Sequence, residues 1–305
     1  MTRTDEFEEH RPLLFSLAYR MLGSVAEAED VVQEAWLRYE TTETEPRSSK
    51  AFLSTMVTRI CIDVLRSARA RREDYVGDWL PEPLISDPYD DPARAAELRE
   101  SVSMAALLLL ERLSPLERAV FVLREVFAYD FADVAEALDR SEAACRQLLV
   151  RARRHLASGR ARFETDQRAR DQLAAQFFGA FRNGDVEGLR SVLAADVELV
   201  GDAGGKAPAL GRTVVGADKV ARMLASLFPG LDRVHAILEQ CQVNAQPGAI
   251  LRDREGKVAF AIALDVWEGR IHTIRSIGNP DKLGHLGPVA DAWALQRDFL
   301  AAREH

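Results

Sequence analysis

The stretch from Phe131 to His155 constrains the fold more than any other part of this chain. It reads as a short helix, Phe131–Leu138, a break at Asp139-Arg140-Ser141, and a longer arginine-rich helix. In the second helix Cys145, Leu148, Leu149, Ala152 and Leu156 recur at helical spacing and are expected to pack inward. That leaves Arg146, Gln147, Arg151, Arg153 and Arg154 on the remaining faces. Ser141 suits the N-cap, and Glu142 suits the positive end of the helix dipole. Two helices across so short a break, the second one basic, fit a helix-turn-helix DNA reader. They also fit an amphipathic hairpin whose basic face is merely solvated.

The rest of the chain has to separate these readings. With 305 residues there is room for two or three domains. Formal net charge is -8, from 40 basic and 48 acidic residues, which is awkward for a nucleic-acid binder. Phosphate contact is local, however, and the basic residues gather in Arg59–Arg72 and Arg146–Arg162. Acid gathers in Glu27–Glu45 and Glu73–Asp91, so two kinds of partner are expected. The longest apolar runs, such as Met104–Leu110, are too short to cross a bilayer, and the acidic opening Met1–His10 is no signal sequence. Cys61, Cys145 and Cys241 are scattered and odd in number, as in a reducing cytoplasm. A cytoplasmic protein is expected, without membrane partner, metal or cofactor.

In chain order, Phe7–Leu22 is predicted as a helix ended by Gly23, and Ser24 to Glu27 as a capping box opening the next. Along that second helix Asp30, Glu34 and Glu27 form an acidic outer strip with Gln33 beside it, either solvated or a docking face for a basic partner. A polar loop, Thr41–Ser49, leads to a long helix, Ala51–Arg72, whose outer face and end carry Arg59, Arg66, Arg69, Arg71 and Arg72. Prolines 81, 83, 88 and 92 then mark an extended linker. Within it Trp79-Leu80-Pro81-Glu82-Pro83-Leu84 is too apolar for a plain tether and is expected to dock. Helical periodicity resumes from Ala93 to Leu113, and Ser114-Pro115 opens another helix reaching Val126.

After Arg162 the character changes. Helices are expected at Gln172–Arg182, Asp185–Ala194, Ala217–Phe228 and Val289–Ala302. Strands are expected at Val197–Val200, Val234–Asn244, Ala249–Arg252, Val258–Trp267 and Arg270–Ile277. Helices followed by a curved antiparallel sheet make an α+β domain able to enclose a pocket. The glycine loop Gly201–Gly211 lacks the spacing of a nucleotide-binding loop. Asp265 with His235 or His272 has no nucleophile beside it, so no catalytic residues are assigned.

Four segments in order resemble an extracytoplasmic-function (ECF) RNA polymerase sigma factor. Ala28–Trp36 is similar to the polymerase-binding helix of region 2, and Ile62–Ser67 with Arg69, Arg71 and Arg72 to the helix engaging the melted -10 element. Leu113–Arg118 resembles the start of region 4, and Phe131–Arg154 its helix-turn-helix for the -35 element. The remainder resembles a SnoaL-like domain, a cone-shaped fold that one sigma subgroup carries at its C-terminus. The motifs are Trp79–Leu84, Asp202-Ala203-Gly204-Gly205-Lys206 and Asn279-Pro280-Asp281-Lys282-Leu283. The usual second motif has glycine where Ala203 stands, which puts the backbone there in question.

The resemblance implies two all-α sigma domains followed by an α+β cone: region 2 over residues 1–73, a linker over 74–92, region 4 over 93–162 and the SnoaL-like domain over 163–305. It implies bacterial RNA polymerase core and promoter DNA as partners, with control in cis by the cone, which has room for a small-molecule ligand. Asp30, Val31, Gln33, Glu34 and Trp36 would meet the core. Arg59, Asp63, Arg66, Arg69, Arg71 and Arg72 would serve the -10 element. Ser141, Glu142, Arg146, Gln147, Arg151, Arg153 and Arg154 would serve the -35 element. The three motifs would form the regulatory contact. Two alternatives stand beside this: a ligand-sensing DNA-binding regulator acting without the polymerase core, and a cyclase- or isomerase-like enzyme with a DNA-binding region.

Overall fold

The computed structural model describes the chain except residues 1, 44–45, 74, 90, 158–165, 209, 211 and 302–305; side chains of 68–73 and 228–229 are likewise not described. The chain divides into two compact units, one of residues 1–74 and 87–161, the other of 75–86 and 162–305.

The first unit is helical. α1 (Arg3–Leu22) begins four residues before the expected Phe7, because Thr2 and Asp5 form a reciprocal capping box, and Gly23 ends it in the left-handed conformation. α2 (Val25–Glu40) is capped by the Ser24 hydroxyl, which accepts from the Glu27 N–H. α3 (Ser49–Glu73) packs on α1 and α2. The predicted helix from Ala93 to Leu113 is broken: after a single 3-10 turn come α4 (Ala95–Val102) and α5 (Met104–Leu110). Buried Ser103 makes the break, donating to the Glu100 carbonyl and accepting from the Ala106 N–H. α6 (Pro115–Phe121) starts with the expected Ser114 cap and first-turn proline and relaxes into a π-turn over Val122–Val126. α7 (Phe131–Leu138) and α8 (Glu142–Ala157) follow.

Two buried arginines stitch this unit together. Arg20 of α1 donates to the Leu98 carbonyl at 2.9 Å and pairs with Asp87 at 2.8 Å. Arg118 of α6 donates to the Met21 carbonyl at 2.7 Å and pairs with Glu111 at 2.8 Å. A charge so desolvated is tolerated only when paired and hydrogen-bonded. Burial lowers the pKa of both guanidinium groups.

In the second unit α9 (Gln167–Asn183) presents Phe177, Phe178 and Phe181 to the core, ending at left-handed Gly184 as its sequence predicts. α10 (Val186–Val192) is capped by Asp185 and runs into β1 (Leu193–Asp202), much longer than the expected Val197–Val200. β2 (Val214–Val215) is a two-residue strand without a sequence signal. α11 (Ala217–Arg233) extends past Phe228. β3 (Ile237–Val243), β4 (Gln246–Arg252), β5 (Val258–Trp267) and β6 (Arg270–Ile277) complete the sheet, and α12 (Ala292–Ala301) follows.

The strand order is β2-β1-β6-β5-β4-β3, antiparallel except where β1 lies parallel to β6. Period-2 alternation puts Leu199, Ala249, Leu264 and Ile274 in one core with the phenylalanines of α9 and Val220 and Leu224 of α11. Helical domains followed by an α+β domain are what the sequence led one to expect.

Candidate functional site

On α8 the predicted division of faces is met except at Leu156, which is half-buried. Cys145, Leu148, Leu149 and Ala152 are buried. Ser141, Glu142, Arg146, Gln147, Arg151, Arg153 and Arg154 are all exposed. The break works because Asp139 adopts φ 52°, a left-handed conformation that aspartate tolerates better than most residues. The Arg140 N–H then reaches back to the Ala135 carbonyl at 3.0 Å, and the Ser141 hydroxyl caps α8 by accepting from the Ala144 N–H. Several arginines are already steadied within the domain. Arg146 pairs with Glu142 at 2.5 Å and lies 4.7 Å from the Phe131 ring centroid. Arg153 pairs with Glu125 at 2.9 Å, and Arg151 lies 3.5 Å from Glu117.

On α2, Asp30 and Gln33 are exposed and Glu34 is half-buried, bonded to Arg38 at 2.7 Å. Trp36 is half-buried against Phe7, ring centroids 5.1 Å apart. Val31 is buried at 1% exposure, so it shapes the strip from below and presents nothing to a partner. On α3, Asp63 and Arg66 are exposed and paired at 3.2 Å. Arg59 instead donates to the carbonyls of Glu136 and Ala137, at 2.7 and 2.9 Å, where α7 ends. It thereby adds donors at a helix terminus, where carbonyls run short of intrahelical partners. The side chains of Arg69, Arg71 and Arg72 lie outside the described residues.

The three motifs of the second unit converge. The linker segment Tyr75–Ser86 forms neither helix nor strand, yet Leu80 to Leu84 are buried. Asp202 is the hub. Its carboxylate accepts from the Tyr75 hydroxyl at 2.5 Å, the Leu80 N–H at 2.8 Å and the Lys282 ammonium at 2.7 Å. Lys282 also donates to the Leu80 carbonyl and lies over the Trp79 and Tyr75 rings, 4.5 and 4.8 Å from their centroids. The Asp202 carbonyl accepts from Gly278 and Asn279 N–H, and the Asn279 amide donates to the Tyr75 hydroxyl. Burial first, and then the Asp202 carboxylate, push the Tyr75 pKa up.

Lys206 pairs with Asp281, and Gly204 holds φ 55°. A side chain at Gly204 would run into Asn279 and the Tyr75 hydroxyl, so both its φ and its missing Cβ are required. Ala203 is not among the positive-φ residues, which removes the difficulty its substitution raised. Gly205, Pro280 and Leu283 complete the loops, Leu283 fully buried. The far end of the segment is held at Leu84, which exchanges hydrogen bonds with Asn244, and at Pro83, whose carbonyl meets His285.

A cavity of about 380 Å³ has Asp202 among its lining residues. Its wall is almost wholly apolar, including Phe178, Leu199, Met223 and Phe299, with Asp202, Ser276 and Gln296 as polar points. Asp265 is not among the lining residues; it pairs with Arg275 at 2.6 Å. His272 stacks on Trp267, ring centroids 3.6 Å apart.

Residues 7–71 match the family model of Sigma-70 region 2, and residues 103–156 that of Sigma-70, region 4. The ECF RNA polymerase sigma factor SigJ of Mycobacterium tuberculosis is 41% identical over 289 residues, covering 91% of this chain and 92% of SigJ. The chain belongs to the ECF sigma factors. A probable ECF RNA polymerase sigma factor of the same organism, SigI, is 32% identical over 280 residues, covering 91% of this chain and 93% of SigI. The crystal structure of M. tuberculosis SigJ matches with a TM-score of 0.71 at 37% identity, over 92% of this chain and 98% of that one. As an ECF sigma factor the chain acts in transcription initiation with RNA polymerase core and promoter DNA, and it is not an enzyme. Among the described residues no helix is long and apolar enough to cross a membrane.

Sequence reasoning passed over three residues of the linker clamp in this sigma factor: Tyr75, Asn244 and His285. Asn244 carried a signal, since asparagine between two strands favours the left-handed conformation that it adopts here at φ 54°. It also passed over Val150, which is exposed on α8.

Proposed function

We propose that α8 reads the -35 element, that the arginines of α3 engage the -10 strand, and that the acidic face of α2 docks a basic surface of the polymerase core. The observation that carries this reading is the division of α8: Cys145, Leu148, Leu149 and Ala152 are buried, and Arg146, Arg151, Arg153 and Arg154 are exposed. Arginine in the major groove pairs bidentately with guanine, and the other arginines of this face would grip phosphate. Asp30, Gln33 and Glu34 give the acidic region its use. The C-terminal domain acts in cis by holding the linker at Asp202, Lys282 and Asn244.

Run-off transcription with core polymerase tests this, comparing the full chain with one ending near Ala157. Promoter-dependent transcripts from at least one chain, with altered activity on truncation, are expected. Failure of both to bind core sinks the reading. Reversing the charges of Asp30 and Glu34 should weaken core binding in a pull-down; equal binding would reduce the strip to solvated surface.

The cavity favours one further element, an uncharged small-molecule ligand. Apolar space of this size forfeits packing when empty, and both oxygens of Asp202 are already bonded elsewhere. The neutral fluorophore N-phenyl-1-naphthylamine should bind the full chain, and Ser276→Phe should abolish that binding. Equal fluorescence for both chains would count against the site.

A further inference from the structure

Val150 occupies an unusual place on α8. It is 64% exposed, whereas Cys145, Leu148, Leu149 and Ala152 around it are buried. Lone exposed apolar residues are ordinary, so position has to decide. Arg146 lies one turn before it and Arg154 one turn after, with Gln147 and Arg151 three residues before and one after; all four are exposed. Val150 is therefore a single aliphatic patch at the middle of a polar face. Arg146, at the rim, is held by Glu142 and by the Phe131 ring. A β-branched residue also lowers helix propensity, and here no packing compensates. Such a local conflict marks a position kept for contact with something outside the domain.

The chemistry of the major groove names that contact. Base edges there present donors and acceptors, which an isopropyl group would desolvate without pairing. Thymine alone among the four bases adds a methyl group. We infer that Val150 reads the C5-methyl of a thymine in the -35 element and is a specificity-determining residue. This inference rests on the reading of α8 as the -35 helix. The surrounding arginines set register through phosphate and guanine, and Val150 selects at one base pair between them.

Holoenzyme reconstituted from the full chain and core polymerase is used to select from promoters randomised across the -35 element, in parallel with Val150→Ala and Val150→Ile. The wild-type chain should fix thymine at one position, Val150→Ala should relax that position alone, and Val150→Ile should keep it. Replacing that thymine by deoxyuridine should weaken wild-type binding about fourfold, the worth of one buried methyl group, and leave Val150→Ala unchanged. Placing 5-methylcytosine there should bind better than cytosine. Identical selected sequences for wild type and Val150→Ala, or no loss with deoxyuridine at any thymine, would overturn the inference while leaving α8 as the reader. A wild-type holoenzyme that enriches no -35 sequence would overturn both.

Discussion

The ammonium of Lys282 lies 2.7 Å from the carboxylate of Asp202, the two side chains 8% and 0% exposed. A buried pair of this kind is costly to break from one side, because the remaining charge has no water to turn to. Lys282→Met should destabilise the second unit by about 3–5 kcal/mol. Adding Asp202→Asn should recover part of that loss, since the stranded charge is gone. Urea unfolding of the full chain reads both, and a double variant no more stable than Lys282→Met would show that the pair is not the source of the loss.

Trp79 contributes its ring to the same ammonium. Trp79→Ala should weaken the clamp by about 0.5–2 kcal/mol, the range for a partly desolvated cation–π contact. Limited proteolysis within Tyr75–Ser86 should accelerate accordingly. Cleavage at the wild-type rate would mean that Asp202 and Asn244 hold the segment unaided.

Arg59 ties α3 to the end of α7. Its removal in Arg59→Ala costs hydrogen bonds from a charged donor to two carbonyls, about 1.5–3 kcal/mol. Amide exchange from Ala135 to Arg140 should quicken. Protection equal to wild type would make the contact incidental.

Glu117 carries the expected acid sensitivity. Burial alone would raise its pKa, but hydrogen bonds from Ser114 and the charges of His155 and Arg151 outweigh burial and hold it below 4.5. A carboxyl depressed on folding contributes stability above its unfolded value, and that contribution is lost as pH falls through the lower, folded one. The stability of the first unit should therefore drop below about pH 4.5 and drop less steeply in Glu117→Gln. Parallel pH profiles for the two chains would exclude Glu117 as the origin.

The elements that sequence displayed best were those whose signals are local. The Ser141 cap and the break at Asp139 marked where α7 ends and α8 begins, and the expected strands Val258–Trp267 and Arg270–Ile277 match β5 and β6. Ser103 was different: a single serine inside an apolar run gives no warning that it will be buried and divide the helix. β2 is two residues long and owes its existence to pairing with Glu198 and Leu199 of β1, which no local pattern encodes. For the site, the motifs around Asp202 and Lys282 were legible as words but not as a geometry. That Asp202 accepts from residues 75, 80 and 282 depends on the tertiary fold alone.

The docked linker has a consequence for length. In sequence, Tyr75–Ser86 joins region 2 to region 4, and fully extended it would span roughly 40 Å. Held at Leu80 by Asp202 and at Leu84 by Asn244, the segment cannot stretch to that contour. Under the proposed control in cis, each hydrogen bond lost at Asp202 or Asn244 frees part of that length, as a cord is paid out from a reel.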